Sequence, residues 1–301
     1  MPTSGPVRRL ADGSLELLVV GGLTIDSFPD GTTAAGGSVL HATRAAARAR
    51  VSVGVVTVAG PEREARAALR ELAGIAELEV EVAVQTLRFG HEEVGGRRRL
   101  TVEGAVRLRP DPSRLRRMQA RALLLAPVGA ELDGTALAML DEAIEARVRV
   151  ASLQGWLRRR SDGGLVAPLD IGDVSRDVLA RLRNCDVVVV SHEDLGRLES
   201  EPIAAAALSV RHALPGPGVI VTWGRAGYVR AEAGDRDPFV VQRRFAIRGV
   251  PTVGAGDAFA AIVAIHLARG ASLSAAARAA DRSVERWLAR TPGAQPGAAC
   301  E

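Results

Sequence analysis

Apolar residues follow two rhythms along this chain. In one, short continuous apolar runs end in glycine or a polar turn. In the other, alanine- and leucine-rich stretches carry polar residues at helical spacing. The first rhythm predicts buried strands in LELLVVGGLTID (15–26), VSVGVVTVAG (51–60), ALLLAPVG (122–129), VRVASL (148–153), CDVVVVS (185–191) and GVIVTWG (218–224). The second predicts helices in GGSVLHATRAAARAR (36–50), PEREARAALRELAG (61–74), TALAMLDEAIEARV (135–148), DVSRDVLARL (173–182) and ASLSAAARAADRSVERWLAR (271–290). Pro61 stands in the first turn of one of these and Gly74 at its end, and Asp173 is the expected cap of another. Residues 192–213 read as helical with a break at Pro202, and a further apolar helix follows Gly254-Ala255-Gly256-Asp257. Residues 78–108 alternate and predict strands joined by a charged hairpin at Gly95-Gly96; 226–248 predicts short strands, and TPGAQPGAACE (291–301) a flexible tail.

Buried strands alternating with helices predict an α/β fold with a parallel sheet covered on both faces. In such sheets ligands bind beyond the carboxyl ends of the strands. The 301 residues are 47% apolar and 3% aromatic, so the core is built from Ala, Val and Leu. The longest apolar runs fall short of the ~20 residues of a membrane helix, so no membrane partner is expected. The opening MPTSGPVRRLADGS has no apolar core, so no signal peptide and a cytoplasmic location are expected. Cys185 and Cys300 make neither a disulfide framework nor a zinc site. The net charge is +4 and all 39 basic residues are Arg. They are scattered among acids without aromatic platforms, which argues against nucleic acid as a partner.

Several strand ends carry candidate chemistry. In GAGD, glycines expose the backbone at a helix N-terminus, a setting for anions. Asp257 there is either a helix-stabilising first-turn acid or a general base beside an anion hole. VTWGRAG (221–227) presents Thr222, Gly224 and Gly227, either a plain glycine turn or a seat for phosphate or ribose. Asp26, with Gly36, Gly37 and His41, could grip a polyol, since a carboxylate accepts two sugar hydroxyls; singly, each also reads as an ordinary turn or helix residue. Asp194 in SHEDLGRL is a first-turn acid or a Mg²⁺ neighbour, and Arg158 in LQGWLRR a surface cation or a substrate contact.

In this order the pieces resemble the PfkB/ribokinase family of carbohydrate and nucleoside kinases, over roughly residues 15–290. VVGGLTID resembles the family's first strand with its sugar-binding Asp, and AGGSVLHATRAAA its glycine pair and substrate helix. VIVTWGRAG is similar to the nucleotide-side TxGxxG, and PTVGAGDAF to the signature DTxGAGDxF. GHEEVGGRRRL and the QGWLR of LQGWLRR look most like the inositol- and nucleoside-kinase-like members. The resemblance implies a three-layer α/β/α fold with a mostly parallel central sheet and a small β lid. It implies one domain over 1–290, with lid pieces at about 23–35 and 84–105. It implies Asp257 as catalytic base and the amides of Gly254, Ala255, Gly256 and Asp257 as the anion hole. Thr222, Gly224, Gly227 and Asp281 would lie on the nucleotide side, and Asp26, Gly36, Gly37, His41 and Arg158 would seat the acceptor, with Asp194 near the metal. His41 and Asp281 stand where the family usually has Asn, Pro251 where it has Asp, and Asp194 where it has Glu; VAGPERE lacks the usual G-x-D.

The expected activity is ATP- and Mg²⁺-dependent transfer of a phosphoryl group to a hydroxyl of a sugar, polyol or nucleoside. The alternative is a non-catalytic sugar- or nucleotide-binding sensor on the same fold. A nicotinamide dehydrogenase is disfavoured because VVGGLTID lacks G-x-G-x-x-G. Lids in the family often pair between subunits, which makes a homodimer the candidate assembly.

Overall fold

The computed structural model describes residues 9–94, 97–235, 237–243 and 245–299. The first half runs β1 (Leu15–Gly22), β2 (Thr24–Ser27), β3 (Thr33–Gly36), α1 (Ser38–Arg48), β4 (Val53–Ala59), α2 (Arg63–Ala73), β5 (Glu77–Val82), β6 (Leu87–Val94), β7 (Arg97–Glu103), α3 (Pro112–Leu115), β8 (Ala120–Leu125) and α4 (Gly134–Ala143). The second runs β9 (Val148–Ser152), β10 (Arg158–Arg160), β11 (Val166–Pro168), α5 (Arg176–Leu182), β12 (Val187–Ser191), α6 (Ile203–Ala213), β13 (Gly218–Thr222), β14 (Gly227–Ala231), β15 (Phe239–Gln242), β16 (Phe245–Arg248), α7 (Ala255–Ala268), α8 (Leu273–Ala289) and β17 (Gln295–Ala299).

The main sheet has nine strands in the order β15-β14-β13-β12-β9-β8-β1-β4-β5. From β13 to β5 every neighbouring pair is parallel, and β14 and β15 add an antiparallel edge. Side chains on a strand alternate between faces. Leu18 and Val20 of β1 therefore enter one core, with residues of α4, α5 and α6, while Leu17 and Val19 enter the other, with residues of α1, α2, α7 and α8. The result is three layers. Helix α7 is apolar on nearly all sides, buried from Ala258 through Ile265, as befits a helix wedged between the sheet and its neighbours α1 and α8.

A second sheet, in the order β3-β2-β6-β7, stands apart from the first. The run at 15–26 is not one strand. It breaks at Leu23, and β2 leaves the main sheet to pair with β3 and β6. Asp26 thus lies on a strand of the small sheet rather than in a turn after the first strand.

Other elements also differ from expectation. The alternating run at 77–82 is β5, an edge of the main sheet parallel to β4, not part of the small sheet. Pro61 precedes the α2 cap, Glu62, instead of opening the helix. Ser175, not Asp173, caps α5: its hydroxyl accepts from the Val178 N–H, and Asp173 closes a separate 3₁₀ turn. Residues 295–299 are not a loose tail. They form β17, antiparallel to β16, because backbone pairing gives that segment partners its composition does not announce. The Gly95-Gly96 hairpin tip and Cys300 lie outside the described residues.

Candidate active site

The strand order reverses beside β1, with β4 on one side and β8 on the other. In sheets of this kind ligands bind beyond the carboxyl ends of the strands at such a switch point. A residue not singled out in the sequence, Glu131, ties it together. Its fully buried carboxylate accepts the N–H of Gly22 at 2.9 Å, of Val128 at 2.7 Å and of Gly129 at 2.8 Å. The end of β1 and the loop after β8 are therefore held by one side chain, and β2 starts from that fixed point. Glu131 stands six residues past the ALLL run, and nothing in the local sequence marks it for this role.

Asp26 is buried, with Thr24 Oγ1 donating to its Oδ1 at 3.0 Å. A side chain on Gly36 would collide with Asp26 Oδ2, so glycine lets β3 pass close to the carboxylate. Gly37 has φ 100°, a left-handed backbone that turns the chain from β3 into α1 against the Gly22 carbonyl. One turn into α1, His41 lays its ring against Gly254. Gly254 is the N-cap of α7, at φ 81° and ψ 0°, and any side chain there would strike the imidazole. Asp257 follows in the first turn of α7, half-buried. Burial pushes the His41 pKa down, and the charges of Asp257 and Asp26 oppose that shift. The imidazole therefore sits within the fields of both carboxylates.

Of the GAGD amides, the Ala255 N–H is engaged within the loop, donating to the Thr252 carbonyl at 3.0 Å. Those of Gly256 and Asp257 are first-turn amides with no acceptor inside the helix, the geometry of an anion site. Space around Gly256 and Gly224 is open where a Cβ would stand, so an anionic group can approach the backbone at both turns.

On the far side, Thr222 ends β13 and its hydroxyl leans back to the Val190 carbonyl at 3.4 Å. Gly224 and Gly227 turn the chain into β14. Asp281, on α8, comes to the same region through Arg243, a residue the sequence did not mark. The guanidinium donates to Asp281 through Nε at 2.9 Å and also through Nη2, while Nη1 donates to the Gly224 carbonyl at 3.2 Å. Arg158 is not a surface cation. It lies 3.5 Å from Asp194 and 5.5 Å above the Phe89 ring, and Gln154 Nε2 donates to Asp194 at 3.3 Å. It therefore joins Asp194 to Phe89 of the small sheet. No cluster of three His, Cys, Asp or Glu able to hold a metal ion by itself occurs among the described residues. Asp194 alone fits a Mg²⁺ held mainly by a polyphosphate and water, the usual manner for that ion. No described helix is long and apolar enough to cross a membrane.

Known proteins share this fold. Residues 136–284 match the family model of the pfkB family carbohydrate kinases. No curated protein matches the sequence. Among solved structures, a pyrophosphate-dependent kinase in the ribokinase family, complexed with a pyrophosphate analogue and myo-inositol, superposes with a TM-score of 0.69 at 17% identity, over 88% of this chain and 92% of its own. The ribokinase of Thermotoga maritima gives 0.67 at 16%, over 93% and 94%. The ribokinase of Arabidopsis thaliana, complexed with ribose and ATP, gives 0.64 at 18%, over 91% and 99%. At such identities the likeness is one of fold. Residues 136–284 thus match the pfkB family carbohydrate kinases, and the chain as a whole has the fold of the ribokinase-family kinases.

Proposed function

We propose that the protein is a kinase that moves the γ-phosphoryl group of ATP, with Mg²⁺, to a hydroxyl of a sugar, polyol or nucleoside. One observation carries the reading: Asp26 abuts Gly36 just before α1, and His41 of α1 rests its ring on Gly254, the cap of the helix whose first turn carries Asp257. The residues suited to gripping an acceptor and the residue suited to deprotonating it therefore face one space.

Asp26, backed by Thr24, accepts hydroxyl protons of the acceptor and orients it. The acceptor hydroxyl that points at α7 gives its proton to Asp257 as its oxygen forms the new bond to phosphorus. The bond from phosphorus to the donor's bridging oxygen breaks, and the electron pair leaves with ADP. The first-turn amides of Gly256 and Asp257, with the α7 dipole, stabilise the charge on the group in transit. Mg²⁺ supplies charge neutralisation to the donor phosphates when bound, with Asp194 the nearby carboxylate. The small sheet excludes water over the acceptor. The protein acts as a cytoplasmic enzyme, with a homodimer as the candidate assembly. A screen of Mg-ATP with ribose, fructose, inositols, adenosine and other nucleosides tests the reading; a phosphorylated product supports it. Binding of sugar or nucleotide with no product from any of them would favour the sensor.

A second donor, inorganic pyrophosphate, is favoured by Arg243. Its guanidinium spans the gap from Gly224 to Asp281, where the resemblance puts the nucleotide, so a base must displace a half-buried ion pair. A diphosphate has no base to seat. Turnover with pyrophosphate but not ATP, with Arg243→Ala gaining ATP use, would favour this donor. Turnover with ATP that Arg243→Ala leaves unchanged would remove it.

A further inference from the structure

The first turn of α7 is held from two sides. Downstream, the His41 ring rests on Gly254. Upstream, the chain reaches Gly254 from β16, which belongs to neither the main sheet nor the small one. The ladder partner of β16 is β17, at the far end of the sequence, with Ile247 opposite Pro296 and Arg248 opposite Gln295. Between Arg248 and Gly254 the chain joins no ladder among the described residues. It is buried at Val250, and the Thr252 carbonyl accepts the Ala255 N–H at 3.0 Å. The aim of the free amides of Gly256 and Asp257 therefore depends on where β16 is pinned.

β17 is pinned in its turn. The chain leaves α8 through a turn in which the Thr291 N–H donates to the Leu288 carbonyl and the Ala294 N–H to the Thr291 carbonyl, both at 3.1 Å. The Thr291 hydroxyl donates to the Trp287 carbonyl at 3.1 Å. Gly293 and Gly249 then meet at the end of the two strands. Both are left-handed, at φ 87° and 76°. A Cβ on Gly249 would lie 2.7 Å from the Gly293 carbonyl oxygen, and one on Gly293 would lie 3.3 Å from that of Gly249. Backbone angle and close approach both demand glycine at this joint.

We infer that the C-terminal strand β17 is a strap for the phosphoryl-transfer turn. Its pairing with β16 and the Gly249–Gly293 joint hold the amides of Gly256 and Asp257 in place, and Gly293 is a positioning residue for the transfer. The inference rests on the kinase reading for what those amides bind, but the positioning is tested without substrate.

Amide hydrogen exchange followed by NMR reads the turn through Ala255 and Ala258, whose N–H groups donate to the carbonyls of Thr252 and Gly254. Gly293→Val sets a β-branched residue at a positive φ and opens the joint from the strap side. Exchange at both amides is expected to quicken about tenfold, the order of one lost backbone hydrogen bond, while amides of β1 and β4 keep their rates. Gly270→Val is the control. It carries the same φ of 87° beyond the other end of α7, with open space around it, and should leave Ala255 and Ala258 unchanged. In turnover, Gly293→Val should raise donor KM about tenfold and leave acceptor KM as it was.

Unchanged exchange at Ala255 and Ala258, a uniform rise through the whole protein, or the same rise in Gly270→Val would overturn the inference. So would a donor KM equal to that of the wild type. A wild type that yields no product removes the kinase reading, and the exchange result still decides whether β17 holds the turn. Should Gly293→Val fail to fold, exchange in the wild type under rising urea gives the second measurement. Ala255, Ala258 and the amides of β17 are expected to open together, with one free energy and one urea slope. Opening of the turn independently of β17 would overturn the inference.

Discussion

At the scale of single residues, the site turns on the contact between His41 and Gly254. Where the family usually has Asn, this chain places an imidazole that can carry charge. Burial drives its pKa below the ordinary value of 6.5, more than Asp257 and Asp26 restore. The folded protein then holds that proton more weakly than the unfolded chain does. Stability contributed by neutral His41 is complete above about pH 6.5 and is lost as pH falls through that value toward the lowered one. Urea unfolding at about pH 7.5 and about pH 5.5 is therefore expected to show a smaller loss of stability on acidification in His41→Asn than in the wild type. His266, whose pKa burial also lowers, leaves a residual slope in both. An unchanged pH dependence in His41→Asn would show that His41 does not titrate with folding. The position of His41 was legible in AGGSVLHATRAAA as a helix residue behind two glycines. Its contact with a glycine more than two hundred positions later was not, because nothing local encodes it.

At the scale of elements, local patterning carried furthest where burial is one-sided or complete. The β1, β4, β8 and β12 runs, the α1 helix and the α7 helix after GAGD lie close to where their apolar rhythm puts them. It failed where a backbone partner or a competing cap decides. β17 exists because β16 offers it hydrogen bonds, and Ser175 outcompetes Asp173 for the start of α5. The break at Leu23 is of this kind too. A continuous apolar run hides the point at which β2 leaves the main sheet, and the joint depends on Glu131 reaching Gly22 from the loop after β8. In Glu131→Gln one of the three N–H groups must face an amide NH₂ rather than an oxygen. Loss of one such buried bond is expected to cost about 1–3 kcal/mol in urea unfolding. Stability equal to the wild type would show that the carboxylate is not what ties β1 to that loop.

At the scale of the molecule, the fold explains why residues so far apart in sequence can act together. A parallel sheet gathers its carboxyl ends on one edge, and the small sheet starts from the end of β1, beside the switch point. Order along the chain was enough to recognise the motifs. It could not reveal Glu131 or Arg243, whose roles arise only when strands from different parts of the chain meet. The central claim is that Asp257 removes the acceptor proton in a phosphoryl transfer. Its most direct test is turnover by Asp257→Asn, followed by ³¹P NMR on an acceptor that the wild type phosphorylates. The account predicts a fall in kcat of about 10²–10⁴-fold, with donor and acceptor binding nearly intact. Turnover by Asp257→Asn at the wild-type rate would contradict it.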